Sequence, residues 1–339
     1  MLVETINKEF IFDDDRPFRS CHASTLIVLD RDNVLAAWFA GTEEGTDDVG
    51  IWGSLRSNGA WSEPRHIAGD GSEPLWNPVL YQGADGIIAL YYKAGKKIRS
   101  WRTMVMTSAD GGMTWSSPKE LVPGDVGGRG PVKNKPIPLS GGVLAAPASI
   151  ETKERWDAFA DLSFDGGASW QRSETVPLRR VTLPPSGEAP SDPHAVVHKG
   201  VIQPTLWESL PGQVHMLLRS TESSIFRSDS MDGGRTWCEA YATGLPNNNS
   251  GIDLDRLDNG MLALVYNPVS GRHGERTPLV VRFSQDNGRS WEQELVLEDE
   301  PGEYSYPAIV ACGGELHLTY TWKRERIAYR RVTLARKEG

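Results

Sequence analysis

Cysteine is scarce. The chain of 339 residues has three, Cys21, Cys238 and Cys312, widely separated and odd in number. They offer neither a disulfide framework nor a metal-ligand spacing. No apolar run is long enough to cross a bilayer. The opening MLVETINKEF lacks the apolar stretch of a secretion signal. A cytoplasmic protein with no membrane partner is therefore expected. Lysine and arginine form no run, and 36 of them face 45 acidic residues for a net charge of −9. That balance argues against nucleic acid as a partner. It still allows an anionic ligand, because local basic groups can dominate one cleft. No phosphate loop, dinucleotide fingerprint or zinc spacing is found, so neither a cofactor nor a metal is expected.

What the chain does have is a repeat. Ser108 to Trp115 reads SADGGMTW, and the pattern returns as SFDGGASW at Ser163–Trp170, SMDGGRTW at Ser230–Trp237 and SQDNGRSW at Ser284–Trp291. A worn copy without the Asp is RSNGAW at Arg56–Trp61. The closing tryptophans are 54, 55, 67 and 54 residues apart, the signature of one structural unit used repeatedly. Within each copy the Asp can accept backbone N–H groups one and two residues on. The Gly at the fifth position permits positive φ, and the Trp is an apolar plate to wedge under the turn.

Between boxes a polar lead-in precedes an apolar strand, a Gly turn, a second strand, a loop, a third strand, the box and a fourth strand. Four strands per period describe a propeller blade. The expected strands are 22–30, 34–41, 49–56 and 61–67 in blade one, then 77–82, 86–93 and 101–108 in blade two with one more after Trp115. Blade three takes 132–139, 142–149, 156–163 and 170–177. Blade four takes 201–207, 213–219, 224–230 and 237–242, and blade five 251–257, 261–266, 278–284 and 291–297. Residues 179–199 form an insertion that accounts for the long spacing. The last stretch offers 306–311, 315–322 and 326–334, and residues 6–12 supply the missing strand, which removes an open edge. The expected fold is all-β: a six-bladed propeller of four-stranded antiparallel blades, closed by the N-terminal strand, with 1–339 as one domain.

In a propeller the first strands line the axis, so their lead-ins converge on one mouth. Here they present His22, Asn77, Lys133 to Lys135, Gln203, Asn249 and Tyr304 to Tyr306. A polar residue before an apolar run in every blade favours a polar ligand site over a merely hydrated channel. The loops between second and third strands, at 42–48, 93–102, 151–156, 219–224 and 267–276, add carboxylates and guanidiniums. Arginine is suited to clamping a carboxylate through two parallel hydrogen bonds.

The boxes resemble the Asp boxes of the sialidase (neuraminidase) superfamily. The segments CHAST, WNP, VKNKP, QPTLW and NNNSG are similar to a sialidase-like subgroup described by its BNR repeats. The resemblance implies a six-bladed propeller, three arginines on a substrate carboxylate, a tyrosine nucleophile assisted by a Glu, and an Asp acid/base. Carried over, it makes Tyr304 in EYSYP the nucleophile, Arg219 and Arg276 the second and third arginines, and Asp47 the acid/base, with Asp48 a near-equal candidate. His22 falls where the first arginine should be, and Arg19 is in a different register. The assisting Glu is not obvious. Gln203 begins the corresponding strand, Glu208 is at its far end, and Glu151 is a substitute from a neighbouring loop.

Three functions follow, in order. The first is an exo-acting glycosidase on a sialic- or uronic-acid-containing glycan. Arg219, Arg276 and Lys135 would hold the carboxylate, Asp47 would protonate the leaving oxygen and Tyr304 would attack. The second is a lyase on a uronic acid such as a rhamnosyl-glucuronate linkage. His22 would then carry the proton beside Tyr304, with Arg219, Arg276 or Asn134 neutralising the carboxylate. The third is a glycan-binding propeller without chemistry. In each case the partner is an acidic oligosaccharide; the oligomeric state is left open.

Overall fold

Each period of the sequence closes into one antiparallel sheet. The computed structural model describes residues 2–30, 32–182 and 191–335, so part of the 179–199 insertion lies outside the described residues. Blade one holds Ser20–Val28, Val34–Gly41 and Gly50–Ser57, followed by the short outer strands Ala60–Trp61 and Arg65–Ala68. Blade two holds Leu75–Gln82, Ile88–Ala94, Arg102–Ser108 and Lys119–Glu120; blade three holds Ile137–Pro138, Leu144–Glu151, Trp156–Ser163 and Gln171–Arg172. Blade four runs Val201–Leu210, Gln213–Ser220, Ser224–Ser230 and Tyr241–Pro246, and blade five Asp253–Arg256, Leu262–Tyr266, Leu279–Ser284 and Glu292–Glu298. Blade six combines Tyr304–Cys312, Glu315–Trp322 and Arg326–Ala335 with the N-terminal Leu2–Phe10. Six sheets form the expected all-β propeller, and a single 3₁₀ turn, Ile98–Ser100, interrupts the strand pattern among the described residues.

The closing strand begins earlier than residue 6. It pairs antiparallel with the last strand, Lys8 opposite Arg330 and Phe10 opposite Ala328. The core lies between blades, where large side chains interdigitate. Leu279, Val281 and Phe283 of blade five pack with Leu316, Leu318 and Tyr320 of blade six.

The boxes are turns whose acceptors are all used. Asp110 Oδ1 takes the N–H groups of Met113 and Thr114, three and four residues on rather than one and two, and Oδ2 takes the Thr114 hydroxyl. Ser108, at the end of its strand, accepts the Gly112 N–H. Asp165, Asp232 and Asp286 repeat the scheme. Gly112 has φ +86, and a Cβ there would meet Leu35 Cδ2 at 2.7 Å. The fifth-blade box is also tied sideways. His215 donates from Nδ1 to Asp229 at 2.5 Å and accepts at Nε2 from Ser209 at 2.7 Å and the box residue Asn287 at 3.2 Å. Trp207 donates to Asn287 Oδ1, which fixes the amide and hence the tautomer.

One departure shapes the axis. The expected strand 132–139 shrinks to Ile137–Pro138, because the preceding residues send two lysines across the molecule. Lys133 donates to Ile252 O of blade five and Pro307 O of blade six. Lys135 donates to Leu254 O and Ile309 O and pairs with Asp253 at 3.2 Å. Burial pulls the Lys133 ammonium down to about 7. The same burial acts on Lys135, but Asp253 and Asp255 beside it win and raise its pKa.

Candidate functional site

Four inner strands share one irregularity. Opposite Phe39 to Ala37, Lys93 to Tyr91, Arg219 to Leu217 and Thr321 to Thr319, the inner strand carries one extra residue. Each bulge contains a residue with positive φ: Ala23 at 52°, Asn77 at 43°, Gln203 at 49° and Tyr306 at 50°. Asn249 of blade five also has positive φ, at 57°. Non-glycine residues avoid this region unless surroundings impose it, and bulges recur where a side chain must be re-aimed beside a site. Here the repeated bulge turns the lead-in side chains toward one mouth.

Tyr306 is the centre of that mouth. Its phenol oxygen accepts a hydrogen bond from Arg219 Nη1 at 2.7 Å. Its ring lies 4.3 Å from the His22 ring, with the Arg219 and Arg276 guanidiniums 5.8 and 5.6 Å from its centroid. Arg219 is held by Gln203 Oε1 and Asn249 Oδ1, both at 2.9 Å, and stands over Trp156. Arg276 donates to Glu303 Oε1 at 2.6 Å and Ser305 Oγ at 3.2 Å. The same Glu303 oxygen accepts Arg324 Nε at 2.9 Å, and Arg324 also pairs with Glu44 of the 42–48 loop. Arg276, Glu303 and Arg324 line a cavity of about 840 Å³ on the rim between blades five and six.

The electrostatics follow from this crowding. Burial, then Arg324, Arg276, Arg219 and Lys133, hold His22 well below its ordinary 6.5. A neutral imidazole results, with Nδ1 on Thr321 Oγ1 at 2.9 Å. Among the described residues no hydrogen-bond partner meets its Nε2. Glu303 is lowered despite burial, because Arg276 and Arg324 favour its anion. Burial pushes Glu151 up, against the pull of Arg219, Lys199 and Lys93. Lys93, buried beside Thr103, is pulled down to about 7.

Among the residues expected at the mouth, His22, Gln203, Arg219, Asn249 and Arg276 meet there. Glu151 is near Arg219. The others lie elsewhere. Tyr304 is 1% exposed and packs in the core between blades five and six, beside Trp322. Burial and the acids Glu298, Glu300 and Asp299 raise its pKa, and its hydroxyl lies beside Gly302, where an added Cβ would meet it at 3.0 Å. Expecting Tyr304 at the mouth missed the bulge: period-two alternation puts residues 304 and 306 on one face, and the extra residue sends them apart. Asp47 stands on the rim, half exposed, paired with Lys96 at 2.7 Å. The Asp48 carboxylate is spent on Thr42 and Thr46 within its own loop. Asn134 braces the axis by donating to Pro204 O at 2.8 Å, and Lys135 belongs to the axial staple described above. Glu208 caps Ser140 and Gly212, and exposed Arg19 uses its backbone N–H on Gly41 O. Residues to which the sequence assigned no individual role are Tyr306, Glu303, Arg324, Glu44 and Trp156. The first two stand in the quoted EYSYP segment itself. Arg324 carried no signal, lying at a hairpin tip.

Comparison with solved structures places the fold among sialidases. The Hadza microbial sialidase Hz136 superposes with TM-score 0.74 at 16% identity, over 93% of this chain and 66% of that one. A Dyadobacter fermentans protein of unknown function gives 0.74 at 15%, over 97% and 99%. Trypanosoma rangeli sialidase gives 0.73 at 13%, over 97% and 60%. The chain thus spans about two thirds of the length of the sialidases it matches. The model of the BNR repeat-like domain matches residues 32–318. With that match over most of its length, the chain belongs to the BNR repeat-like domain family.

Proposed function

We propose that the chain is a glycosidase that hydrolyses the bond to a carboxylate-bearing sugar at the propeller mouth. The observation that carries this is the Arg219 hydrogen bond to the Tyr306 oxygen, between two guanidiniums. The guanidinium holds the phenol oxygen in place as the attacking group. Arg219 and Arg276 then hold the substrate carboxylate. Tyr306 Oη forms a bond to the anomeric carbon as the bond to the leaving oxygen breaks. That oxygen takes the tyrosyl proton by way of the Asp47 carboxylate, and water later cleaves the tyrosyl link and returns a proton to Tyr306 by the same route. Closing of the 42–48 loop over bound sugar is required to bring Asp47 from Lys96 to the leaving oxygen.

A second reading has its own support, the neutral imidazole packed at a tilt against Tyr306. In a uronic acid, His22 Nε2 would take the proton beside the carboxylate. A carbon–carbon double bond forms as the neighbouring carbon–oxygen bond breaks, and the Tyr306 hydroxyl protonates the leaving oxygen.

The test is incubation with sialosides, aryl uronides and acidic plant and bacterial glycans, with products read by mass. Hydrolysis adds one water across the broken bond and elimination adds none. A water-bearing acidic sugar supports the first reading. An unsaturated product supports the second, and no product from any acidic glycan contradicts both.

A further inference from the structure

Two residues of the blade-three lead-in stand outside the mouth, yet both reach the strands that form it. Lys133 and Asn134 are buried, and each turns its donors on the backbone of another blade. What they hold is specific. The inner strands of blades four and six break register between Ile202 and Thr205 and between Ser305 and Ala308. The residues passed over are Gln203-Pro204 and Tyr306-Pro307. Their carbonyls lie outside the ladder register, and a buried carbonyl left without a donor is costly. Asn134 Nδ2 donates to Gln203 O at 3.3 Å and to Pro204 O at 2.8 Å. Lys133 Nζ donates to Pro307 O, and to Ile252 O of blade five at 3.0 Å.

Three further observations connect these bonds to the mouth. First, Gln203 and Tyr306 hold φ of 49° and 50°. A residue with a side chain keeps that conformation only where its surroundings impose it, and a bond to the carbonyl at or just after it does so. Second, the two bulge residues meet on one atom. Gln203 Oε1 accepts from Arg219 Nη1 at 2.9 Å, and Tyr306 Oη accepts from the same nitrogen at 2.7 Å. Moving either peptide changes where that guanidinium and that phenol stand. Third, Lys133 runs beside Tyr306 itself. A Cβ on Gly251 would lie 3.2 Å from Lys133 Cε and 3.4 Å from the Tyr306 ring. Lysine is a poor residue for filling space, since burying its ammonium forfeits hydration. Its reach and its three donors are what two carbonyls on different blades require.

We propose that Lys133 and Asn134 are positioning residues of the mouth. Lys133 fixes where the Tyr306 oxygen stands by holding the Pro307 carbonyl. Asn134 fixes the Gln203 side chain, and through it Arg219, by holding the Gln203 and Pro204 carbonyls. Both act through other residues. The consequence for rate rests on the reading of Tyr306 as the attacking group; the consequence for geometry does not.

The variants are Lys133→Met, which keeps the stem and removes the donors, Lys133→Gln, which keeps an amide donor, and Asn134→Leu. Asn134 Oδ1 is buried without a partner among the described residues, so the last change removes only the two donated bonds. Each variant is checked for folding by its melting curve, assayed on an acidic glycan that wild type turns over, and crystallised. Lys133→Met is expected to lower kcat about 10- to 100-fold, the effect of a displaced reacting atom, with KM within about twofold. Lys133→Gln is expected to recover part of that rate. Asn134→Leu is expected to raise KM about fivefold, the size of one weakened hydrogen bond to Arg219, with a smaller change in kcat. In the crystals Tyr306 Oη leaves Arg219 Nη1 in Lys133→Met, and Gln203 Oε1 leaves it in Asn134→Leu. Folded variants with wild-type kcat and KM, or with Tyr306 and Gln203 unmoved, would overturn the proposal. So would loss of folding in all three, which would make the segment a brace of the ring. If wild type turns over no acidic glycan, the glycosidase reading falls and the crystal structures alone decide the positioning.

Discussion

Tyr304 and Tyr306 differ by two positions and occupy different worlds. One fills the core between blades and the other touches Arg219 and His22. Composition and spacing pointed to the EYSYP segment, but its two tyrosines are distinguished only by a one-residue bulge. Register is a property of the paired strand, so the segment was legible and the residue was not. The same limit applies to Lys135 and Asn134, whose polarity marked the axis without saying whether they face the mouth or brace the channel. Below about pH 6.5 the buried histidines lower stability, in addition to the buried Lys93 and Lys133, which act down to about pH 7. His317 is lowered to about 4 by burial, and His22 also lies well below 6.5. As pH falls below about 6.5 the unfolded chain takes up protons that the folded chain refuses, so stability falls with pH down to the folded values. Urea unfolding at pH 7.5 and 5.5 is expected to show this loss, up to about 1.4 kcal/mol per pH unit for each such histidine. His317→Gln is expected to flatten the slope, and an unchanged slope would place the titration elsewhere.

At the scale of elements, the boxes were the most readable feature. Their Ser, Asp, Gly and Trp sit at fixed offsets, and each offset has a local task. Gly112→Ala combines a left-handed backbone with an approach to Leu35. It is expected to cost roughly 1–3 kcal/mol and to lower the melting temperature without moving binding at the mouth. A variant as stable as wild type would contradict the assigned turn geometry. The inner strand of blade three was misread for a physical reason. VKNKP alternates as a strand does, yet its lysines gain more from the carbonyls of blades five and six than from a ladder. Such cross-axis bonds join residues 119 and 174 positions apart, a distance no local pattern reports.

For the whole molecule, ring closure is what turns repeats into a site. The strand Leu2–Phe10 pairs with Arg326–Ala335, with Phe10 packed against Trp322. Deleting residues 1–10 would bare the edge of the last strand and one face of blade six. The shortened chain is expected to melt at least about 10 °C lower, a loss of several kcal/mol in a chain of this size, and to associate through the open edge. A monomer with wild-type melting would show that closure contributes little. Blade number and closure were legible because a 54- or 55-residue period and a short final unit leave little choice. The mouth was only half legible, since Arg324 and Glu44 come from loop tips brought together by that closure.

The central claim is that Tyr306, and not Tyr304, faces the bond being broken. The direct measurement is turnover of one acidic glycan by Tyr306→Phe and Tyr304→Phe, compared with wild type at equal folded concentration. Tyr306→Phe is expected to lose at least about a hundredfold in rate, with Tyr304→Phe near wild type. Retained turnover in Tyr306→Phe, or its loss in folded Tyr304→Phe, would contradict the account.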